Sequence, residues 1–144
     1  MKKIHTNISQ SSLTDKTKYR DRIDLLHRRA SLLTGKDRLL MIMYLERGNS
    51  YRQMARLAGV AETSIARRIQ KITERLIDGE YITCLRNRDK FTRTEMAVAN
   101  DYFLLRLPQR KIAAKRNYSV YRVRKILKRV RQLVQTIRHQ SEQI

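Results

Sequence analysis

The sequence has little of several residue types that usually reveal a protein's class. It contains one cysteine, one proline, four glycines and no tryptophan. A lone thiol, Cys84, cannot form an intramolecular disulfide, which suits a reducing compartment. The longest apolar run, residues 39–45, is far shorter than the roughly 20 residues that span a bilayer. The N-terminus also lacks the apolar core of a signal peptide. We therefore expect a cytoplasmic, nucleoid-associated protein.

Patterns associated with catalysis and metal binding are also missing. The histidines at positions 5, 27 and 139 are far apart and have no cysteine or carboxylate at the spacing of zinc ligands. No glycine-rich phosphate loop or nucleophile motif occurs. The pair Asp21 and Asp24 is typical of a helix start, where carboxylates complement the helix dipole. We expect no enzymatic activity, no metal and no cofactor.

Positive charge is what the sequence has in excess. Lys and Arg number 33 against 13 Asp and Glu, which gives a formal net charge of +20. Between Asp101 and Glu142 there are 12 basic residues and no acidic ones. Such a stretch repels itself unless a polyanion lies alongside it, so a nucleic acid is the expected partner. A basic helix can also lie on an anionic membrane, but its narrow apolar stripe is needed in a domain core. We expect no membrane partner.

Apolar spacing divides the chain into segments. Residues 1–18 are polar, with scattered apolar positions, and are predicted to form a flexible arm. Apolar residues at intervals of three and four predict two small three-helix domains, at 19–80 and 92–140. Residues 81–91 break this spacing and are predicted to be a linker or a short β-hairpin. The expected fold class is all-α, with a linker or a short hairpin as the alternatives between the two domains.

Capping and turn residues predict where several helices begin and end. Ser50 with Gln53, and Thr92 with Glu95, have the spacing of capping boxes. Gly59 lies between two helical patterns and can adopt the positive φ of a sharp turn. We therefore expect helices to start just after Ser50 and Thr92 and a turn at Gly59.

The segment around Gly59 recurs 58 residues later. SYRQMARLAGVAETSIARRIQKI, at 50–72, aligns with PQRKIAAKRNYSVYRVRKILKRV, at 108–130. The apolar positions match, and Gly59 matches Asn117. Asparagine is the non-glycine residue best suited to a left-handed turn. We interpret the match as an internal duplication.

Both segments resemble the helix-turn-helix of bacterial DNA-binding proteins. In that motif a small residue lets two helices cross closely, a turn residue follows four positions later, and apolar residues hold the second helix in place. These roles fall on Ala55, Gly59, Val60 and Ile65, and on Ala113, Asn117, Tyr118 and Val123. Arg68 and Arg116 depart from the pattern, each in its own unit.

The first unit has a narrower resemblance. Residues 36–76 are similar to region four of bacterial sigma factors and to the related output domains of response regulators, but no segment resembles the promoter-melting region of a complete sigma factor. A winged-helix relative is a further interpretation, because LIDGEYITCLRNRDKFT, at 76–92, resembles the end of a recognition helix followed by a wing.

The helix-turn-helix resemblance implies which side chains contact DNA. Residues near the start of such a second helix reach base edges in the major groove, and Arg and Lys further along contact phosphates. The expected contacts are Glu62, Thr63, Ser64, Arg67, Arg68 and Lys71 in the first unit, and Ser119, Tyr121, Arg122, Arg124, Lys125, Lys128 and Arg129 in the second.

The function expected from these patterns is sequence-specific binding of double-stranded DNA. Two recognition helices about 34 Å apart would read one face of the duplex. A transcriptional regulator of a bacterium or its mobile elements fits this best, acting as a monomer or weak homodimer. Three alternatives stay open: a non-catalytic DNA-targeting module in recombination or transposition, a sigma-like adaptor for RNA polymerase, and RNA binding through Tyr118 and Tyr121.

Overall fold

A computed structural model describes residues 10–142, with side chains from residue 16 onwards, and this part of the chain is built from α-helices. The helices are α1 (Gln10–Arg29), α2 (Gly35–Leu45), α3 (Tyr51–Ala58), α4 (Glu62–Asp78), α5 (Glu80–Arg86), α6 (Arg93–Ala99), α7 (Gln109–Arg116) and α8 (Val120–Glu142). A 3₁₀ turn follows α1 and another follows α5, and α6 continues into a π-helical turn, Asn100–Leu104. The predicted all-α fold class is confirmed.

The short β-hairpin, predicted as one alternative for residues 81–91, is wrong. This segment forms α5 and a 3₁₀ turn, Arg88–Lys90, and no strand occurs between residues 10 and 142. Ile82 and Cys84 of α5 are buried in the core, so the segment is not a bare linker either. A helix of seven residues has too few turns for its apolar spacing to differ clearly from strand alternation. The wing suggested for the same residues is therefore also absent.

The predicted arm is partly helical. Helix α1 begins at Gln10, so residues 10–18 continue the helix that Ile23 and Leu26 anchor in the core, while residues 1–9 lie outside the described part of the chain. Adding a residue to an existing helix costs far less free energy than nucleating one. The anchored turns therefore allow the helix to extend through polar sequence. Asp21 and Asp24, predicted to lie at a helix start, are instead inside α1.

The predicted caps and turns are confirmed. Ser50 accepts from the backbone of Gln53, whose side chain accepts in return from the Ser50 backbone, and Thr92 forms the same reciprocal pair with Glu95. Gly59 has φ +69°, between α3 and α4. Asn117 has φ +61°, between α7 and α8, so asparagine takes the place of glycine in the second turn.

The 58-residue correspondence extends well beyond the segment found in the sequence. The 3₁₀ turn Ala30–Leu32 corresponds to Arg88–Lys90, and the start of α2 corresponds to the start of α6. The positive φ of Gly48 (+64°) recurs at Arg106 (+61°). Helix α5 then occupies the place of the second half of α1. We call α1–α4 the N-terminal unit and α5–α8 the C-terminal unit. Each has four helices rather than the three predicted, and the second begins with α5 at Glu80 rather than at residue 92.

The last helix of each unit carries the expected apolar stripe. On α4 the stripe is Ile65, Ile69, Ile72 and Leu76, and on α8 it is Val123, Leu127, Val130 and Val134; all eight are buried. Truncating one such side chain to alanine typically costs about 2 to 5 kcal/mol, because a cavity forms in addition to the lost burial. The stripes therefore hold α4 and α8 against their own units.

The two units meet through short connections. A single residue, Gly79, joins α4 to α5, and a Cβ there would lie 2.5 Å from the carbonyl oxygen of Arg75. Leu104, from the C-terminal unit, is fully buried in the core of the N-terminal unit. Arg138 of α8 donates to the carbonyl of Asp78 at 2.9 Å. None of the described helices is both long and apolar enough to cross a membrane.

Candidate nucleic-acid interface

The turn between α3 and α4 depends on a small residue and a left-handed one. Ala55 is buried where the two helices cross, and a longer side chain there would push them apart. The backbone amide of Val60 donates to the carbonyl of Ala55 at 3.1 Å, across the left-handed Gly59. This bond closes the end of α3, and α4 starts three residues after Gly59, with its first turn in solvent.

The turn between α7 and α8 has the same geometry. Ala113 is buried at the crossing, and the amide of Tyr118 donates to the carbonyl of Ala113 at 2.8 Å, across Asn117. One local difference stabilises the start of α8. The Ser119 hydroxyl accepts from the backbone amide of Arg122 at 3.0 Å, whereas Ala61, at the start of α4, has no side chain that can cap.

All side chains that the sequence predicted as DNA contacts are exposed. They lie on the outer surfaces of α4 and α8 or immediately before α8. The exposed residues are Glu62, Thr63, Ser64, Arg67, Arg68, Lys71, Ser119, Tyr121, Arg122, Arg124, Lys125, Lys128 and Arg129.

Two of these arginines are held by an acidic residue of the preceding helices. Asp37 of α2 accepts from Arg68 at 3.1 Å and from Arg75 at 3.0 Å. Glu95 of α6 lies 58 residues after Asp37 and accepts from Arg129 at 2.5 Å. The partner explains why an arginine replaces an apolar residue at position 68. The charges of Arg68 and Arg129 are partly balanced within the protein.

A buried carboxylate explains the other departure from the motif. Asp101, in the π-helical turn, is fully buried and accepts from Lys115 and from Arg116, each at 2.8 Å. Burial acts to raise the pKa of Asp101, but the hydrogen bonds from Arg116 and Lys115 outweigh it and the pKa is lowered. The hydrogen bond to Asp101 likewise raises the pKa of Arg116. These cations hold α7 against the π-helical turn.

Two tyrosines lie among the cations at the start of α8. The Arg122 guanidinium lies 3.9 Å from the centre of the Tyr118 ring, and the Lys125 ammonium lies 5.3 Å from that of Tyr121. A cation over a ring face is attracted by the ring quadrupole. Tyr121 is nevertheless 65% exposed, so its ring remains accessible to a ligand.

Two further exposed cations, Arg110 and Lys111, were not predicted from the sequence as contact residues. Arg110 and Lys111 of α7 line a cleft of about 700 Å³ together with Arg124 and Tyr102. The charges at positions 110 and 111 were visible in the sequence. Their proximity to Arg124 depends on how α7 crosses α8, which charge patterning does not show.

A second cleft, of about 660 Å³, lies between the two units, and Lys71 is one of its lining residues. The lining residues carry charges of both signs, including Arg106 and Arg131 as well as Glu74 and Asp78. The exposed surface of α8 is more uniform. That helix has seven basic residues and one acidic residue, whereas α4 has four and three.

Residues 16–142 contain no group of three His, Cys, Asp or Glu side chains that could hold a metal ion. Burial raises the pKa of Cys84 to about 11, so the thiol is protonated at neutral pH. In comparisons with protein-family models, with curated proteins and with solved structures, nothing matched the chain.

Proposed function

We propose that this protein binds double-stranded DNA sequence-specifically and regulates transcription in a bacterium or a mobile element, with α4 and α8 as its two recognition helices. The observation that carries the proposal is the repeated pair of crossing helices. Each pair has a buried alanine, a left-handed turn residue, and a long helix whose first turn is exposed. A helix presented in this way fits the major groove of B-form DNA.

The exposed side chains at the starts of α4 and α8 contact base edges in this proposal, and those further along each helix contact phosphates. In the N-terminal unit, Thr63, Ser64 and Arg67 are exposed, and in this proposal they reach base edges. In the C-terminal unit these positions hold Tyr121, Arg122 and Lys125. Because one chain carries both sets of side chains, a monomer can bind a bipartite site without palindromic symmetry.

Phosphate contacts supply most of the affinity in this proposal. Lys128 of α8, and Arg110 and Lys111 of α7, are exposed and make no ion pair among the described side chains. Each phosphate that a cation neutralises releases condensed counterions, so the logarithm of affinity falls with the logarithm of salt by about 0.9 per contact. Binding should therefore weaken steeply as salt rises.

The experiment that tests the proposal is a binding selection from random duplex DNA at low and physiological salt. The wild-type chain should enrich a motif of two elements about one helical turn apart. Arg67→Ala should relax only one element and Arg122→Ala only the other. Salt-sensitive binding without an enriched motif would contradict sequence-specific regulation.

Single-stranded RNA is the second candidate, favoured by one observation. The Tyr121 ring is 65% exposed beside Lys125, an arrangement on which an unpaired base can stack. The same selection with a single-stranded RNA competitor separates the two functions. Tyr121→Leu should reduce RNA affinity markedly if stacking dominates, and it should leave most of the duplex affinity if groove binding dominates.

A further inference from the structure

Exposed large apolar side chains are concentrated at one place in the N-terminal unit. Of five such residues among the described side chains, three are Leu39 (52% exposed), Leu57 (73%) and Val60 (48%). These three line one groove between α2, α3 and α4. Scattered exposed apolar residues are ordinary, but a contiguous group marks a surface that something covers.

The groove is well formed and mostly apolar. It encloses about 370 Å³, and Met43, Met54 and Ile65 form part of its lining. A groove between helices, lined by leucine and methionine, is a common acceptor for the apolar face of an amphipathic helix. Its size suits a few apolar side chains of such a helix.

The C-terminal unit lacks this surface although its helices follow the same plan. The positions of Leu39, Leu57 and Val60 correspond to Ala97, Lys115 and Tyr118. Lys115 is held by the buried Asp101 at 2.8 Å, and Arg122 lies over the Tyr118 ring at 3.9 Å. The apolar groove is therefore not a requirement of the fold, because the corresponding unit folds without it.

The charge around the groove indicates what can occupy it. The charged residues that line the groove, among those the structure describes, are Lys36 and Arg68. Arg68 is already paired with Asp37 at 3.1 Å, so Lys36 carries the unbalanced charge. Among the described side chains, none pairs with Lys36. An acidic occupant complements this rim, whereas a second copy of the chain, with its formal net charge of +20, is repelled.

We propose that the groove between α2, α3 and α4 is a docking site for a partner protein that presents an acidic amphipathic helix. Apolar side chains of that helix enter between Leu39 and Leu57, and a carboxylate of the helix lies beside Lys36. Ser64 and Arg68, which are also expected DNA contacts, line this groove, so the partner helix and DNA compete for this part of the N-terminal unit. The proposal does not depend on DNA binding.

The test selects displayed helical peptides from a random library on the full-length chain. Enriched peptides should carry apolar residues at i, i+3 or i+4 and i+7 together with a net negative charge. The affinity of the enriched peptides is then measured for Leu39→Ser with Leu57→Ser, and for Tyr19→Ser as a matched control, since Tyr19 is 68% exposed on α1 outside the groove. Thermal melting checks that each variant folds.

The expected result is a loss of peptide affinity of about tenfold or more in the double variant, a loss of about threefold in Lys36→Gln, and no change in Tyr19→Ser. Equal peptide affinity in the double variant would overturn the proposal, as would a selection that yields no groove-dependent peptide. A dimer that Leu39→Ser with Leu57→Ser dissociates in sedimentation would make a second copy the occupant and also overturn it. Loss of DNA affinity in the double variant would assign the groove to the nucleic-acid interface instead.

Discussion

The N-terminal and C-terminal units share a backbone plan but differ in what they expose. Their turns, 3₁₀ segments and buried stripes correspond at a constant separation of 58 residues. Residues 10–78 have 15 basic and 8 acidic side chains, whereas residues 79–142 have 16 and 5. A few turn residues and two apolar stripes therefore specify the shared backbone arrangement, while the exposed residues differ between the two units.

The difference suggests a division of labour. The C-terminal unit presents a basic helix and has a buried carboxylate, Asp101, that holds two cations of α7 in place. The N-terminal unit has Met43 at the position of Asp101, and it presents the apolar groove. In our proposal the C-terminal unit supplies most of the phosphate binding, and the N-terminal unit combines base reading with protein docking.

The largest expected effect compares α4 with α8 as the DNA-contacting helices of our proposal. Lys125→Ala with Lys128→Ala should weaken duplex DNA binding by about 30- to 100-fold and lower the salt slope by about 0.9, because Lys128 contacts a phosphate and Lys125 a base edge. Arg67→Ala with Lys71→Ala should cost less than tenfold, because Lys71 lies in the cleft with Glu74 and Asp78. Fluorescence anisotropy across a salt series measures both quantities. A greater loss from the α4 pair would reverse the division of labour.

The second comparison concerns the acidic residues that hold arginines. Asp101→Asn should destabilise the protein by about 3 kcal/mol, because Asp101 is fully buried and its loss leaves Lys115 and Arg116 unpaired. Asp37→Asn should cost about 1 kcal/mol, since the Asp37 side chain is 21% exposed and water replaces part of the lost interaction. Urea unfolding at neutral pH gives both values. Similar losses would show that burial is not what separates the two sites.

Acid sensitivity sharpens the same comparison. The pKa of Asp101 is lowered in the folded protein, so its stabilisation is present above the unfolded pKa, about 3.9. That stabilisation is lost as the pH falls through the lower folded pKa. The stability difference between wild type and Asp101→Asn should be constant near neutrality and shrink below about pH 4. Urea midpoints measured from pH 7 to pH 3 check this, and a difference as large at pH 3 as at pH 7 would contradict the assignment.

The smallest expected effect compares the corresponding turns at Gly48 and Arg106. Both residues have positive φ, which disfavours any residue with a Cβ. Arg106→Gly should stabilise the C-terminal unit by about 0.5 kcal/mol, because relief of strain exceeds the added freedom of the unfolded chain. Gly48→Ala should destabilise the protein by about 1 kcal/mol, although a Cβ there meets no atom within 4 Å. Thermal unfolding measures both changes in stability, and opposite signs for the two variants would support this account.

Local signals account for what the sequence could predict. Gly59, Asn117 and both capping boxes specify turns and helix starts through interactions within a few residues. The apolar stripes of α4 and α8 were visible because those helices span several turns. The exposure of the thirteen expected contact residues followed from the stripes opposite them.

Long-range packing accounts for the features that the sequence could not predict. Helix α5 is short, and its identity as a core helix depends on its contacts with α8. The partners of Arg68 and Arg129 lie 31 and 34 residues away. The sequence shows these charges but not which of them meet. The apolar groove was likewise hidden, since Leu57 fits the apolar face of a helix as well as a docking surface.

The one-residue joint at Gly79 has a consequence for how targets could change during evolution. Because α4 passes directly into α5 and a Cβ at position 79 would collide with the Arg75 carbonyl, the joint has little room for substitution. If both units bind DNA, the joint at Gly79 fixes the distance between them and their relative rotation about the duplex axis. New targets would then arise by changing the exposed residues of α4 and α8, while the spacing between the two half-sites stayed the same.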